Sequence, residues 1–209
     1  MQEYNSSSRG IGLMSGTSLD GLDICYVKFN VSAKNVWSFK ILSAETIPYD
    51  SQWIEELRFK EGLSAEKLLT LDKNLGFYFG KCINSFIKQK NLKREEIDFI
   101  SSHGHTIYHR PEKGFTLQIG NGQAIALSTK IQTIYDFRTA DVFNGGQGAP
   151  LVPVGDKLLF SEYEACLNLG GFCNISFQKG NQRIAYDISF CNLVLNRLAE
   201  KMGKEKEEN

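Results

Sequence analysis

The chain has 209 residues, 42% apolar and 23% charged, the balance of a globular protein large enough for a real core. Lysine plus arginine equals aspartate plus glutamate at 24 each, so there is no global basic field to gather nucleic acid. Residues 1–10 lack the apolar stretch of a signal peptide, no run approaches the ~18 apolar residues of a membrane span, and the five cysteines are scattered without a C-x-x-C pair, as in a reduced, cytoplasmic protein.

Residues 11–29, I-G-L-M-S-G-T-S-L-D-G-L-D-I-C-Y-V-K-F, read as strand, turn and strand. Gly16 offers a positive φ and a close main-chain approach, while Thr17 and Ser18 add hydroxyls beside backbone N–H groups that can form an anion-holding concavity. An ordinary decorated hairpin fits the same residues. A second copy at residues 167–177, L-N-L-G-G-F-C-N-I-S-F with Gly170 and Gly171 at its turn, favours a duplicated fold holding a polyphosphate between two halves.

Between the two hairpins the elements alternate. Residues 37–47 are β-like and close at Pro48. Asp50 or Ser51 can cap a short helix burying Trp53, Ile54 and Leu57. Ser64 can cap a longer one, whose stripe from Leu68 through Leu75, Phe79 and Phe86 runs to about Lys90. Residues 97–101 form an apolar strand ending in Ser102-His103-Gly104-His105. Phe115, Leu117 and Ile119 alternate in another strand, residues 124–128 are helical, and residues 131–137 are strand again. Strands interleaved with helices predict an α/β sheet, with ligands beyond the carboxyl ends of its strands, where His103 and Asp136 are expected.

The segment N-G-G-Q-G-A-P at residues 144–150 is the natural seam, giving a first lobe over residues 1–145 and a second over 146–209. Beyond the seam, residues 151–160 read as a connecting helix, followed by the second hairpin, a strand over residues 183–188, and a helical stripe of Cys191, Val194, Leu195, Leu198 and Met202. Three strands and one helix make a thin layer, so the second lobe is expected to be incomplete. All three histidines, His103, His105 and His109, fall in one H-x-H-x-x-x-H cluster, a spacing that could hold Zn²⁺ in a hydrolase.

The motifs G-L-M-S-G-T-S-L-D-G-L-D, S-H-G-H-T-I, T-L-Q-I-G-N, D-F-R-T-A-D-V, G-G-Q-G-A-P-L-V-P and L-N-L-G-G-F-C-N-I-S, with the segment from Asp187 to Asn192, resemble the anhydro-N-acetylmuramic acid kinases. That family belongs to the sugar-kinase, Hsp70 and actin superfamily. The resemblance implies an actin-like, ribonuclease H-like duplicated α/β fold whose first lobe is complete here and whose second is partial. It also implies ATP and Mg²⁺, and a coupled reaction. Water opens the 1,6-anhydro bridge of anhydro-N-acetylmuramic acid while the 6-oxygen takes the γ-phosphoryl group, in recycling of the cell wall. The implied partners are small molecules, and a homodimer is allowed.

Residue by residue, the resemblance makes Asp187 the base that activates water, and gives Gly16, Thr17, Ser18, Leu19, Asp20, Gly21, Leu22, Asp23, Gly170 and Gly171 to the nucleotide. Asp20 and Asp23 are the candidate Mg²⁺ residues, since Mg²⁺ keeps several waters and needs only one or two carboxylates. His103, Arg138, Asp141, Gln147 and Asn192 fall on the sugar side, with Arg138 suited to the lactyl carboxylate. The chain departs from the family pattern at Ser189 and Phe190, which stand where the pattern has Gly-Pro. Two other readings stand beside this one. One is a zinc hydrolase built on the histidines; the other is a truncated, inactive kinase fragment.

Overall fold

Alternation places Ile11, Leu13 and Ser15 on the buried side of Ser6–Ser15, which forms strand β1. The computed structural model describes residues 6–58 and 62–203, and the chain divides into two compact units, residues 1–148 and 149–209.

In the first unit β1 pairs antiparallel with β2 (Gly21–Val31), and β2 pairs antiparallel with β3 (Trp37–Pro48). On its other side β1 pairs parallel with β4 (Phe99–Arg110). That strand changes partners along its length. Its first part lies parallel to β6 (Thr133–Tyr135), from Ile100↔Thr133 to Ser102↔Tyr135, and its second part lies antiparallel to β5 (Phe115–Ile119), from His105↔Ile119 onwards.

Two short helices and a long one serve this sheet. Asp50 Oδ1 accepts the Trp53 N–H at 2.9 Å and starts α1 (Ser51–Arg58). Ser64 Oγ accepts from Lys67 N at 3.2 Å and starts α2 (Ala65–Gln89). The apolar stripe of α2, Leu71, Leu75, Phe79, Ile83 and Phe86, joins Ile11, Leu22, Ile24 and Ile100 in one core. Gly76 and Gly80 let α3 (Gly122–Thr129) come close, because a Cβ at either would stand within 2.5 Å of Asn121 O or 2.4 Å of Ser128 Cβ. A fourth helix, α4 (Thr139–Phe143), arises in the D-F-R-T-A-D segment, which carries no apolar stripe to announce it.

The second unit holds α5 (Val152–Leu159), an antiparallel meander of β7 (Ala165–Leu169), β8 (Phe172–Lys179) and β9 (Gln182–Phe190), and α6 (Asn192–Lys201). Its interior is polar. Asp156 of α5 receives the Ser176 hydroxyl and lies 3.9 Å from Arg183 Nη2, with both ionic side chains nearly buried. Arg183 Nη2 also donates to Ser176 Oγ at 2.9 Å. Many apolar side chains of this unit face outward instead, including Leu167, Leu169, Phe172, Phe190, Leu198 and Met202. The mixed α/β class expected from sequence is the class observed.

Two strands differ from expectation. Strand β4 was expected to end near residue 101; it continues to Arg110 because its second half gains β5 as a partner. Gly104, at φ +75°, makes the change of direction, and a Cβ there would stand 2.6 Å from Ile119 O. His103 therefore lies inside a strand, at the end of the stretch paired with β6, rather than at a strand terminus. Strand β6 covers three residues rather than residues 131–137, and Asp136 follows it directly with φ +59°.

Candidate functional site

The turn joining β1 to β2 is locked from below. Ser15, Gly21 and Leu22 are buried, and Leu19 packs on the core. Ser15 Oγ accepts the Tyr49 hydroxyl at 2.7 Å and lies 2.9 Å from His105 Nδ1. Burial holds the Tyr49 phenol far above its ordinary pKa, so it stays a hydrogen-bond donor. The positive φ of the turn belongs to Leu19 (60°), not to Gly16. The expected flexibility of Gly16 is therefore unused. Its value is space, since a Cβ would come within 3.2 Å of Ser18 Oγ.

What this turn presents outward is polar. Thr17, Asp20 and Asp23 are exposed. Ser18 Oγ donates to Asp20 Oδ1 at 2.8 Å, and Thr46 Oγ1 donates to Asp23 Oδ1 at 2.5 Å across the β2–β3 register. Each carboxylate is oriented by a hydroxyl through one oxygen, which leaves its other oxygen for a ligand. Leu22 and Gly21 do not share in this. Leu22 has no exposed surface, and a Cβ at Gly21 would stand 2.5 Å from Ile47 O, so both serve packing rather than side-chain contact with a nucleotide.

A second cluster forms where β4, α4 and the residues after α4 meet. Arg138 directs Nε and Nη2 at His103 Nε2 (3.0 and 2.9 Å) and Nη1 at Gly148 O (2.7 Å). Gly148 N donates to Asp141 Oδ2 at 2.6 Å, so Arg138 and Asp141 hold the two sides of one residue instead of pairing with each other. Gly148 has φ +64°, and a Cβ there would lie 2.7 Å from Val142 Cγ2. Gln147 is exposed beside it. Burial, reinforced by the neighbouring Arg138 charge and opposed by the Gly104 carbonyl, lowers the His103 pKa. Burial also lowers that of Arg138.

The histidines do not converge. His103 faces Arg138, His105 faces Ser15, and His109 Nδ1 lies 3.2 Å from Thr116 Oγ1. Among the described residues no group of three His, Cys, Asp or Glu side chains is placed to hold a metal, so the zinc arrangement suggested by the spacing is not built. The kink at Gly104 separates residues that simple strand alternation would have put on one face.

In the second unit Gly170 and Gly171 form the β7–β8 turn, and their carbonyls accept the N–H groups of Asn192 (3.1 Å) and of Cys191 (2.9 Å) and Leu193 (3.3 Å). Asn192 Nδ2 donates to Leu169 O at 3.0 Å. The turn thus seats the start of α6, and Asn192 links the two. Asp187 is exposed on β9 opposite Asn174, next to a bulge at Ile188, and β9 continues beyond it to Phe190. Sequence reasoning passed over two features. The T-L-Q-I-G-N motif and the loop after β6 line a cavity of about 230 Å³, with Asp72, Gln118, Asn121, Asp136 and Thr139 among its walls. The buried Asp156–Ser176–Arg183 group had no signal in spacing, because its members lie on three separate elements.

A family model described as anhydro-N-acetylmuramic acid kinase matches residues 8–208. The chain belongs to this family. It is 35% identical over 220 residues to the anhydro-N-acetylmuramic acid kinase of Pseudoalteromonas translucida (strain TAC 125), covering 95% of this chain and 55% of that protein. It is 37% identical over 197 residues to that of Actinobacillus pleuropneumoniae serotype 7, covering 91% and 53%, and 34% identical over 215 residues to that of Francisella tularensis subsp. novicida, covering 96% and 55%. The chain therefore spans about half the length of the curated relatives it matches. Among solved structures, a reductive activator for a corrinoid, iron-sulfur protein aligns over 90% of the chain with 11% identity and a TM-score of 0.41, too low to carry an argument. No helix among the described residues is long and apolar enough to cross a membrane.

Proposed function

We propose that the chain carries the first lobe and the opening part of the second lobe of an actin-like, ribonuclease H-like ATPase fold. In this reading it works as an ATP-dependent kinase on 1,6-anhydro-N-acetylmuramic acid, in the cytoplasm, as part of cell-wall recycling. The observation that carries the reading is the β1–β2 turn, whose apolar and small residues are locked in the core while Thr17, Ser18, Asp20 and Asp23 are set outward and oriented. Such a turn suits a polyphosphate better than a neutral ligand, because hydroxyls and main-chain N–H groups donate to phosphate oxygens.

Asp20 and Asp23 fit a hydrated Mg²⁺, since each keeps one carboxylate oxygen clear of its hydroxyl partner. The metal would supply charge neutralisation on the phosphates. Arg138 binds the lactyl carboxylate with the donors that His103 and Gly148 leave over, and Asp141 keeps Gly148 and Gln147 in place beside it. Asp187, exposed on β9, takes the proton of a water that adds to C1 of the sugar. The C1–O6 bond breaks as O6 attacks the γ-phosphorus, and ADP departs with the electrons of the broken P–O bond. No separate acid is needed, because O6 ends as a phosphoester.

The test is incubation of the chain with ATP, Mg²⁺ and the anhydro sugar, together with calorimetric binding of each ligand. Expected are saturable binding that requires the lactyl carboxylate and, where turnover occurs, a ring-opened 6-phosphate that disappears when ATP is omitted. Binding of neither ligand, or ring opening without ATP, overturns the reading.

A further inference from the structure

His103 Nδ1 lies 2.9 Å from Gly104 O. A carbonyl oxygen only accepts, so Nδ1 carries the ring proton. Arginine only donates, so Nε2, which meets Arg138 Nε and Nη2, is a lone pair. The geometry therefore selects the neutral Nδ1–H tautomer. Of the five guanidinium N–H donors, two meet this nitrogen and one meets Gly148 O, leaving one on each terminal nitrogen.

We propose that His103 is the positioning residue for Arg138. It grips one edge of the guanidinium so that the remaining donors are fixed for a carboxylate, and protonation of His103 releases that grip. The inference rests on the reading that Arg138 meets the carboxylate of the sugar. An imidazolium would turn Nε2 into a donor facing two donors, with two cations in contact, and the guanidinium would have to leave. The other charged groups around the pair are few. Asp141 lies across Gly148, Asp136 is engaged by Thr139, and His109, Arg110 and Glu112 lie along β4 and the turn after it. None offers His103 a carboxylate in hydrogen-bonding contact that would favour its charged form. Burial works in the same direction as the geometry.

Two measurements on the whole chain test this. Long-range proton–nitrogen correlation of the [¹⁵N]histidine-labelled protein should show His103 protonated at Nδ1 and bare at Nε2 at neutral pH. It should titrate below the ordinary histidine value of about 6.5. Calorimetry then compares 1,6-anhydro-N-acetylmuramic acid with 1,6-anhydro-N-acetylglucosamine, which lacks the carboxylate, at one pH above and one pH below the His103 titration so measured. Wild type should prefer the carboxylate sugar by about 10-fold or more at the higher pH and lose the preference at the lower. His103→Gln, which keeps an acceptor and does not titrate, should hold the preference at both, and His103→Ala at neither. A preference in wild type that survives His103→Ala, or a ring protonated at Nε2, overturns the inference alone. Absence of any preference in wild type at neutral pH instead overturns the assignment of Arg138 beneath it.

Discussion

Ser15 Oγ stands 2.9 Å from His105 Nδ1 at the root of the β1–β2 turn, and it takes the Tyr49 hydroxyl on its other side at 2.7 Å. One serine thus ties β1, β4 and the connection between β3 and α1 together under the segment proposed to hold the nucleotide. Ser15→Ala removes a partner from both neighbours and should cost about 1–3 kcal/mol, whereas Tyr49→Phe removes one hydrogen bond and should cost about 0.5–1.5 kcal/mol. Urea unfolding midpoints at unchanged slope give the comparison. A smaller loss for Ser15→Ala than for Tyr49→Phe would contradict this ordering.

His103 and His109 both have lowered pKa values, chiefly through burial. The unfolded chain then binds protons before the folded chain does, so stability falls with falling pH through the window below about 6.5. Above that window both forms are neutral and the contribution is fully present. A thermal midpoint measured against pH should drop on the acid side, and the drop should shrink in His103→Gln. A flat profile in wild type would rule the linkage out.

Replacing Arg138 by Lys keeps the charge and loses the fork. The sugar dissociation constant should rise by about 10-fold or more while that for ATP changes little. Equal changes in the two, read by calorimetry, would place Arg138 elsewhere than on the carboxylate.

In the second unit the Asp156–Arg183 pair is nearly buried and shares Ser176. Removing one partner strands the other, so Arg183→Met should cost about 3–5 kcal/mol, and adding Asp156→Leu should recover much of it. Amide exchange across β8 and β9 reports this unit separately. A double variant less stable than Arg183→Met would show that the charges stabilise rather than merely compensate each other.

Periodicity made most of the fold legible. The α2 stripe and its Ser64 cap, the capping of α1 at Asp50, the alternation of β5 and both glycine hairpins are readable because each is a local pattern. What escaped depends on partners distant in sequence. Strand β4 runs on past His103 only because β5 returns beside it, and α4 forms with no stripe of its own. At the candidate site, residue types were readable but pairings were not. Arg138 and Asp141 look like an ion pair three residues apart, yet both turn to Gly148. The glycine in the first turn suggested positive φ, and Leu19 carries it because its side chain is anchored in the core. The histidine spacing suggested convergence, which the kink at Gly104 prevents.

That kink gives β4 an unusual position. Its two halves answer to different neighbours, yet His103 steers the arginine and His105 braces the serine from sites two residues apart on one continuous backbone. Sliding the strand by a single step would misalign both fixtures at once, so the two ends of the proposed reaction share a common mechanical datum, and a chain altered in this strand should lose sugar and phosphate recognition together rather than one at a time.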